Sequence, residues 1–185
     1  MSADKVSLRK RYADRRRGVL PEQRQLASQA VADCLTQLPE YQTGHNIALF
    51  SATPDEIDLS PFWECCRSDG KQCFFPHVTG QDMAFYQVLQ PAELTRGAFG
   101  ILEPSVKAPR LNPGRCDLII VPGVAFDRQG GRLGLGKGFY DRYLPQVSGC
   151  RVGVCVDECL IDQVPCEPHD VRMHMVVTES GVIRI

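Results

Sequence analysis

Between Gly130 and Gly138 the chain reads GGRLGLGKG, five glycines with Arg132 and Lys137 among them, and Phe139, Tyr140, Asp141 and Arg142 follow at once. Closely spaced glycines let backbone N–H groups converge on one point, and an anion can approach them without meeting a Cβ. An arginine can fork two phosphate oxygens, and a lysine adds a compact point charge. Together these residue types suit a phosphate cradle. A solvated surface turn is the ordinary alternative for so much glycine. Neither familiar nucleotide fingerprint is met. Gly131 to Lys137 fits GxxxxGK, but Gly138 follows where Ser or Thr belongs, and VAFDRQG separates the glycines from the preceding strand. Gly134, Gly136 and Gly138 alternate, which is not GxGxxG. Asp141 has two readings, an acid that complements a helix start or a ligand of phosphate-bound Mg²⁺.

The elements around this loop follow from periodicity. Leu8, Tyr12 and Val19 form one thin apolar stripe on a basic first helix. A second helix is expected from Pro21 to about Pro39, with Leu26, Ala30, Cys34 and Leu38 as its buried face. NIALFSA reads as a buried strand, Ser60-Pro61 as an N-cap and first turn, and Gly70 as that helix's stop. QCFFP and MAFYQVL are strands, and the stretch from Gln90 to Gly114 is mostly loop. CDLIIVPG is a strand covered on both faces, because four apolar residues run without interruption from Leu118 to Val121. A short helix from Gly138 to Pro145, the strand CRVGVCV, and MVVT with VIRI complete the chain. Strands alternating with helices predict one α/β domain over residues 1–185, with a largely parallel central sheet. The glycine loop then lies beyond a strand's carboxyl end, where open α/β sheets bind ligands.

Composition narrows the function. A net charge of -1 gives no bulk attraction to nucleic acid or membrane, so an anion must be held by local arrangement. No apolar run approaches the ~20 residues of a membrane span, and MSADKVSLRKRYADRRR lacks a secretory apolar core. A cytoplasmic protein is expected. The nine cysteines contain no CxxC pair and are read as reduced, structural thiols, with Cys34, Cys73, Cys116 and Cys155 in buried contexts.

The glycine stretch GGRLGLGKGFYDRYL resembles the signature of the 5-formyltetrahydrofolate cyclo-ligase (methenyltetrahydrofolate synthetase) family. Other family-like segments lie in order along the whole chain: Lys5 with Leu8-Arg9, PDEID, GKQCFFP, GILEP, DLIIVPGVAFD, PHD and VVT. The resemblance implies a three-layer α/β sandwich of the ribose-phosphate isomerase and CoA-transferase type. It also implies a monomeric ligase that uses ATP and Mg²⁺ to cyclise 5-formyltetrahydrofolate, with no nucleic acid or membrane partner. Residue by residue, it puts Lys5 and Arg9 on ATP from the first helix. Arg132, Gly134, Gly136, Lys137 and Gly138 would hold the triphosphate, with Arg132 and Lys137 as the catalytic cations. Phe139 and Tyr140 take the family's aromatic pair beside the nucleotide, with core packing as their other fate. Ser51 and Glu56 would bind the folate, joined by Leu135, Gly136, Lys137, Gly138 and Phe139 from the loop. Asp141 and Asp170 would ligate Mg²⁺. Three positions depart from the common pattern, His77 for Arg, Leu59 for Thr and His174 for Asp.

Three rival functions are compatible with parts of the chain. A sugar-phosphate isomerase or deaminase would also cradle phosphate with glycines, but needs an acid–base pair, for which only His169-Asp170 offers itself. A non-catalytic folate or nucleotide binder would not need Arg132, Lys137, Asp141 and Asp170 together. Nucleic-acid binding through Arg15 to Arg17 lacks an aromatic platform.

Overall fold

The computed structural model describes residues 3–97, 100–167 and 170–185; His169 lies outside them. Its helices are α1 (Ala3–Gly18), α2 (Pro21–Thr36), α3 (Pro39–Thr43), α4 (Ser60–Ser68) and α5 (Phe139–Tyr143). The strands are β1 (Asn46–Ala48), β2 (Gln72–Thr79), β3 (Asp82–Gln87), β4 (Thr95–Arg96), β5 (Leu102–Glu103) and β6 (Leu118–Pro122). They continue with β7 (Ala125–Asp127), β8 (Arg132–Leu133), β9 (Cys150–Val154), β10 (Leu160–Ile161), β11 (Met175–Thr178) and β12 (Gly181–Arg184).

Seven strands form the central sheet in the order β12-β11-β9-β6-β1-β2-β3. The five inner strands pair in parallel, while β12 and β3 close the two edges antiparallel. Leu118, Ile119, Ile120 and Val121 are all fully buried, as an uninterrupted apolar run in a doubly covered strand requires. Phe75 and Phe85 show how both faces are covered. Phe75 pairs with Tyr86, so its neighbour Phe85 points to the opposite face. Phe75 packs on Trp63 of α4, while Phe85 packs on Tyr143 of α5, with ring centroids 4.7 and 4.9 Å apart. Trp63 and Phe75 are core residues.

Several local expectations are corrected. The buried face of α2 is Ala27, Ser28, Val31, Ala32 and Leu35; Leu26 is 73% exposed and Ala30 and Cys34 are half-buried. Both rows repeat every four residues, and the sheet is met by Ala27, Val31 and Leu35; of the expected set Leu38 is buried, beyond the end of the helix. This helix ends at Thr36, and Pro39 starts the separate short helix α3. At α4 the capping oxygen belongs to Asp58, which accepts the Ser60 N–H and the Ser60 hydroxyl. Gly70 stops that helix at φ +70°, as its composition predicts. All nine cysteines are free thiols. Among the described residues, no helix is long and apolar enough to cross a membrane.

The glycine stretch is two devices. After β6 the chain does not run directly into a loop but forms the β7–β8 hairpin, which pairs with β10 in a small second sheet. Gly130 and Gly131 belong to its turn. Gly130 has φ +81°, and a Cβ there would lie 2.5 Å from the Met173 carbonyl oxygen. The buried Asp127 organises that turn by accepting the N–H groups of Gln129, Gly131 and Val164 at 2.7–2.9 Å. Only Gly134, Gly136 and Gly138 remain for the loop beyond β8.

Candidate active site

Helix α1 brings cations to the loop through one stripe. Lys5, Arg9, Tyr12 and Arg16 recur at i, i+4, i+7 and i+11, within about 60° of one another on a helix of 3.6 residues per turn. Tyr12 packs with Leu8 against Val124, Ala125, Leu133 and Ile161. Lys5 and Arg16 are buried beside it, although they are the chemically least suited to burial. Each is therefore paired. The Lys5 ammonium is 2.6 Å from Asp170 and 3.4 Å from Glu167. Burial alone would lower its pKa; the two carboxylates outweigh it and hold the ammonium above the ordinary 10.5. The Arg9 Nε donates to the Gly134 carbonyl at 2.8 Å, and its guanidinium lies against Gly136.

The loop itself exposes Leu135, Gly136 and Lys137. Gly136 and Gly138 have φ +89° and +69°, the left-handed region that a side chain would strain. The following helix α5 has five residues, so its dipole adds little and the loop's cations and N–H groups dominate the field. Arg132 is interior and not at the loop surface. One of its nitrogens donates to Asp141 at 2.6 Å, its guanidinium lies 5.4 Å from the Tyr140 ring centroid, and its buried Nε has no partner among the described residues. Tyr140 is half-buried, and its hydroxyl is buried with no partner among the described residues. Burial raises the Tyr140 pKa, the Arg132 charge opposes that, and the Glu56 charge adds to it. Phe139 is half-buried under the Arg142 guanidinium, which also ties the loop to the β2–β3 turn through the Gln81 carbonyl.

The remaining residues expected to bind folate, Ser51 and Glu56, follow the carboxyl end of β1. Ser51 follows that strand with a buried hydroxyl that has no partner among the described residues. Glu56 accepts the Thr53 N–H on one carboxylate oxygen and Arg16 on the other, at 2.9 and 3.1 Å. Arg16 spans Glu56, Asp55 and the Gly123 carbonyl, so it ties α1 to the ends of both β1 and β6. Sequence reasoning missed Arg16 because it sits inside the basic run Arg15–Arg17. Its place on the Lys5–Arg9–Tyr12 stripe was the signal available. Arg16, Phe50, Glu56, Pro122, Gly123 and Cys155 line a small pocket over the central strand ends, where ligands of open parallel sheets bind.

The departures from the family pattern lie elsewhere. His77 on β2 is 3.3 Å from Glu103 and 3.1 Å from the Pro104 carbonyl, Leu59 is core, and His174 contacts Arg151.

The model of the 5-formyltetrahydrofolate cyclo-ligase family matches residues 1–179. The chain belongs to that family. The 5-formyltetrahydrofolate cyclo-ligase of Escherichia coli strain K12 is 33% identical over 175 residues, covering 91% of this chain and 96% of that protein. A probable cyclo-ligase of Schizosaccharomyces pombe is 32% identical over 177 residues, covering 85% of this chain and 87% of its own length. Among solved structures, the 5,10-methenyltetrahydrofolate synthetase of Aquifex aeolicus superposes with a TM-score of 0.87 at 40% identity, covering 97% of this chain and 92% of that one. The synthetase from Mycoplasma pneumoniae shares the cyclo-ligase fold at a TM-score of 0.78 and 22% identity, covering 95% of this chain and 99% of that one.

Asp141 and Asp170 each meet a cation, Arg132 and Lys5 respectively. Among the described residues no group of three His, Cys, Asp or Glu could hold a metal alone. Mg²⁺ carried on a nucleotide takes one or two protein carboxylates and completes its shell with phosphate oxygens and water, so a single carboxylate of this kind would be enough for it.

Proposed function

We propose that this chain is a cytoplasmic, monomeric 5-formyltetrahydrofolate cyclo-ligase. It closes 5-formyltetrahydrofolate to 5,10-methenyltetrahydrofolate while converting ATP to ADP and phosphate. The observation that carries the reading is the family match over residues 1–179. The meeting of Arg9 from α1 with the glycines at the end of β8 supports it.

A formamide carbonyl is a weak electrophile and its oxygen a poor leaving group. Transfer of the γ-phosphoryl group to the formyl oxygen, with ADP departing, corrects both. The N10 amine then attacks the activated carbon, the five-membered ring closes, the N10 proton is lost and phosphate leaves. Phosphoryl transfer needs alignment and charge neutralisation more than a protein nucleophile. Arg9, which lies against Gly136, and the exposed Lys137 would neutralise the triphosphate, and the N–H groups around Gly136 and Gly138 would bind it. Arg132 holds Asp141 and lies against the Tyr140 ring, so it fixes the floor of the loop. Asp141 and Asp170 would hold Mg²⁺, which when bound neutralises phosphate charge. Glu56 would accept N–H donors of the 2-amino-4-oxo ring, and Ser51 and Phe139 would complete the folate site.

The test is the absorbance of methenyltetrahydrofolate after mixing the protein with 5-formyltetrahydrofolate. A rise that requires both ATP and Mg²⁺ is the expected result. Binding of ATP and folate without any rise would move the protein to a non-catalytic binder.

A further inference from the structure

We infer that Arg16 is a positioning residue for folate recognition: it holds the Glu56 carboxylate in place from the protein side without touching the substrate. The inference rests on the cyclo-ligase reading and extends it to a residue outside the glycine signature.

The geometry is specific. Every nitrogen of the Arg16 guanidinium is used. Nε and one terminal nitrogen meet the same Asp55 oxygen at 3.0 and 2.9 Å, and the other meets Glu56 at 3.1 Å and the Gly123 carbonyl at 3.3 Å. The side chain is 9% exposed, against 11% for Glu56 and 24% for Asp55. Two adjacent carboxylates this close to the interior would repel without a cation between them. Burial works against the Asp55 charge, but the Thr53 hydroxyl and Arg16 outweigh it and keep that carboxyl ionised.

Arg16 does not compete for the substrate. A carboxylate offers about four acceptor positions, and Arg16 and the Thr53 N–H take one on each oxygen. Two remain for the paired N–H donors of a 2-amino-4-oxo ring. The pocket lined by Arg16 and Glu56 has ≈ 10 Å³ of free space. That admits one water-sized body and no pterin, so the ring cannot enter between Arg16 and Glu56 and would reach the carboxylate from outside the pocket. A second clamp acts on the same loop: Arg24 of α2 donates to the Pro54 carbonyl at 2.6 Å. The recognition carboxylate is thus preorganised before substrate arrives, which reduces the ordering cost of binding.

The experiment is calorimetric titration of 5-formyltetrahydrofolate without ATP, with steady-state kinetics in parallel. Wild type, Arg16→Gln, Arg16→Lys, Glu56→Gln and the Arg16→Gln/Glu56→Gln pair are compared, each at a temperature where circular dichroism shows it folded. Losing a charge-assisted hydrogen bond predicts a folate Kd and KM about 10- to 100-fold higher in Arg16→Gln. The KM for ATP should stay within about twofold, and Arg16→Lys should recover part of the loss. The deciding result is the pair: if Arg16 acts through Glu56, adding Arg16→Gln to Glu56→Gln costs nothing further. Multiplying effects, or an equal loss toward ATP, would show a merely structural residue and overturn the inference. Normal folate binding by Arg16→Gln would overturn it as well. A wild type that fails to bind folate would instead overturn the cyclo-ligase reading, and the inference with it.

Discussion

Lys137 and Asp141 stand four residues apart in the same signature, yet substitution should read out differently at each. Lys137 is exposed, so Lys137→Ala should leave stability within about 0.5 kcal/mol of wild type. Removal of its charge from the triphosphate should raise the KM for ATP about 10- to 100-fold. Unchanged ATP kinetics would take Lys137 out of the cradle. Asp141 is paired with a buried arginine, so Asp141→Ala would strand the Arg132 charge and confuse folding with catalysis. Asp141→Asn keeps a hydrogen-bond acceptor for Arg132 while removing the negative charge. It should fold, by circular dichroism, and lose Mg²⁺-dependent turnover; full turnover at ordinary Mg²⁺ would show that Asp141 serves Arg132 alone.

Among the elements, the β7–β8 hairpin decides where the loop begins. Its turn hangs on Asp127, whose carboxylate satisfies three backbone N–H groups in a buried setting. Asp127→Ala should cost about 3 kcal/mol or more, measured by denaturant unfolding, because hydrogen bonds to a charged acceptor are lost and the donors remain buried. The sequence displayed VAFDRQG only as an interruption between strand and glycines. The hairpin was hidden because β8 has two residues and β7 three, too short for an alternating pattern to register. In α2 the buried row lay one position away from the expected one. Leu26 drew attention by its hydrophobicity, but the sheet is met by Ala27, Val31 and Leu35.

Across the whole molecule, α1 is attached by charge as well as by apolar contact. Tyr12 and the half-buried Leu8 and Ala13 are its contacts with an apolar cluster, while Lys5 and Arg16 carry ion pairs at its two ends. That predicts a pH dependence of thermal stability. The Asp55 pKa is lowered from 3.8, so its contribution is complete above that value and is lost as pH falls through the lower folded value. The Lys5 pKa is raised from 10.5, so its contribution is complete below that value and fades as pH rises through the higher folded value. Differential scanning calorimetry of wild type and Arg16→Gln should show a difference in Tm at pH 7 that shrinks once pH drops below about 3.8. A difference independent of pH would mean that Arg16 stabilises through packing.

The chain's local patterns determined the alternation of the main strands and helices and the doubly covered strand Leu118–Val121, while the hairpin between that strand and the glycine loop stayed hidden. The resemblance carried by its motifs determined the family. Such features depend on residues within a few positions of one another, which periodicity and spacing register directly. Tertiary structure alone decided that Arg132 lies inside and not at the loop surface, that Asp141 and Asp170 rest on different cations, and that Arg16 stands behind Glu56. The last pair is separated by 40 residues. Whether a charge in a basic run faces water or a buried carboxylate depends on which strand ends the fold brings beneath that helix, and no local pattern encodes it.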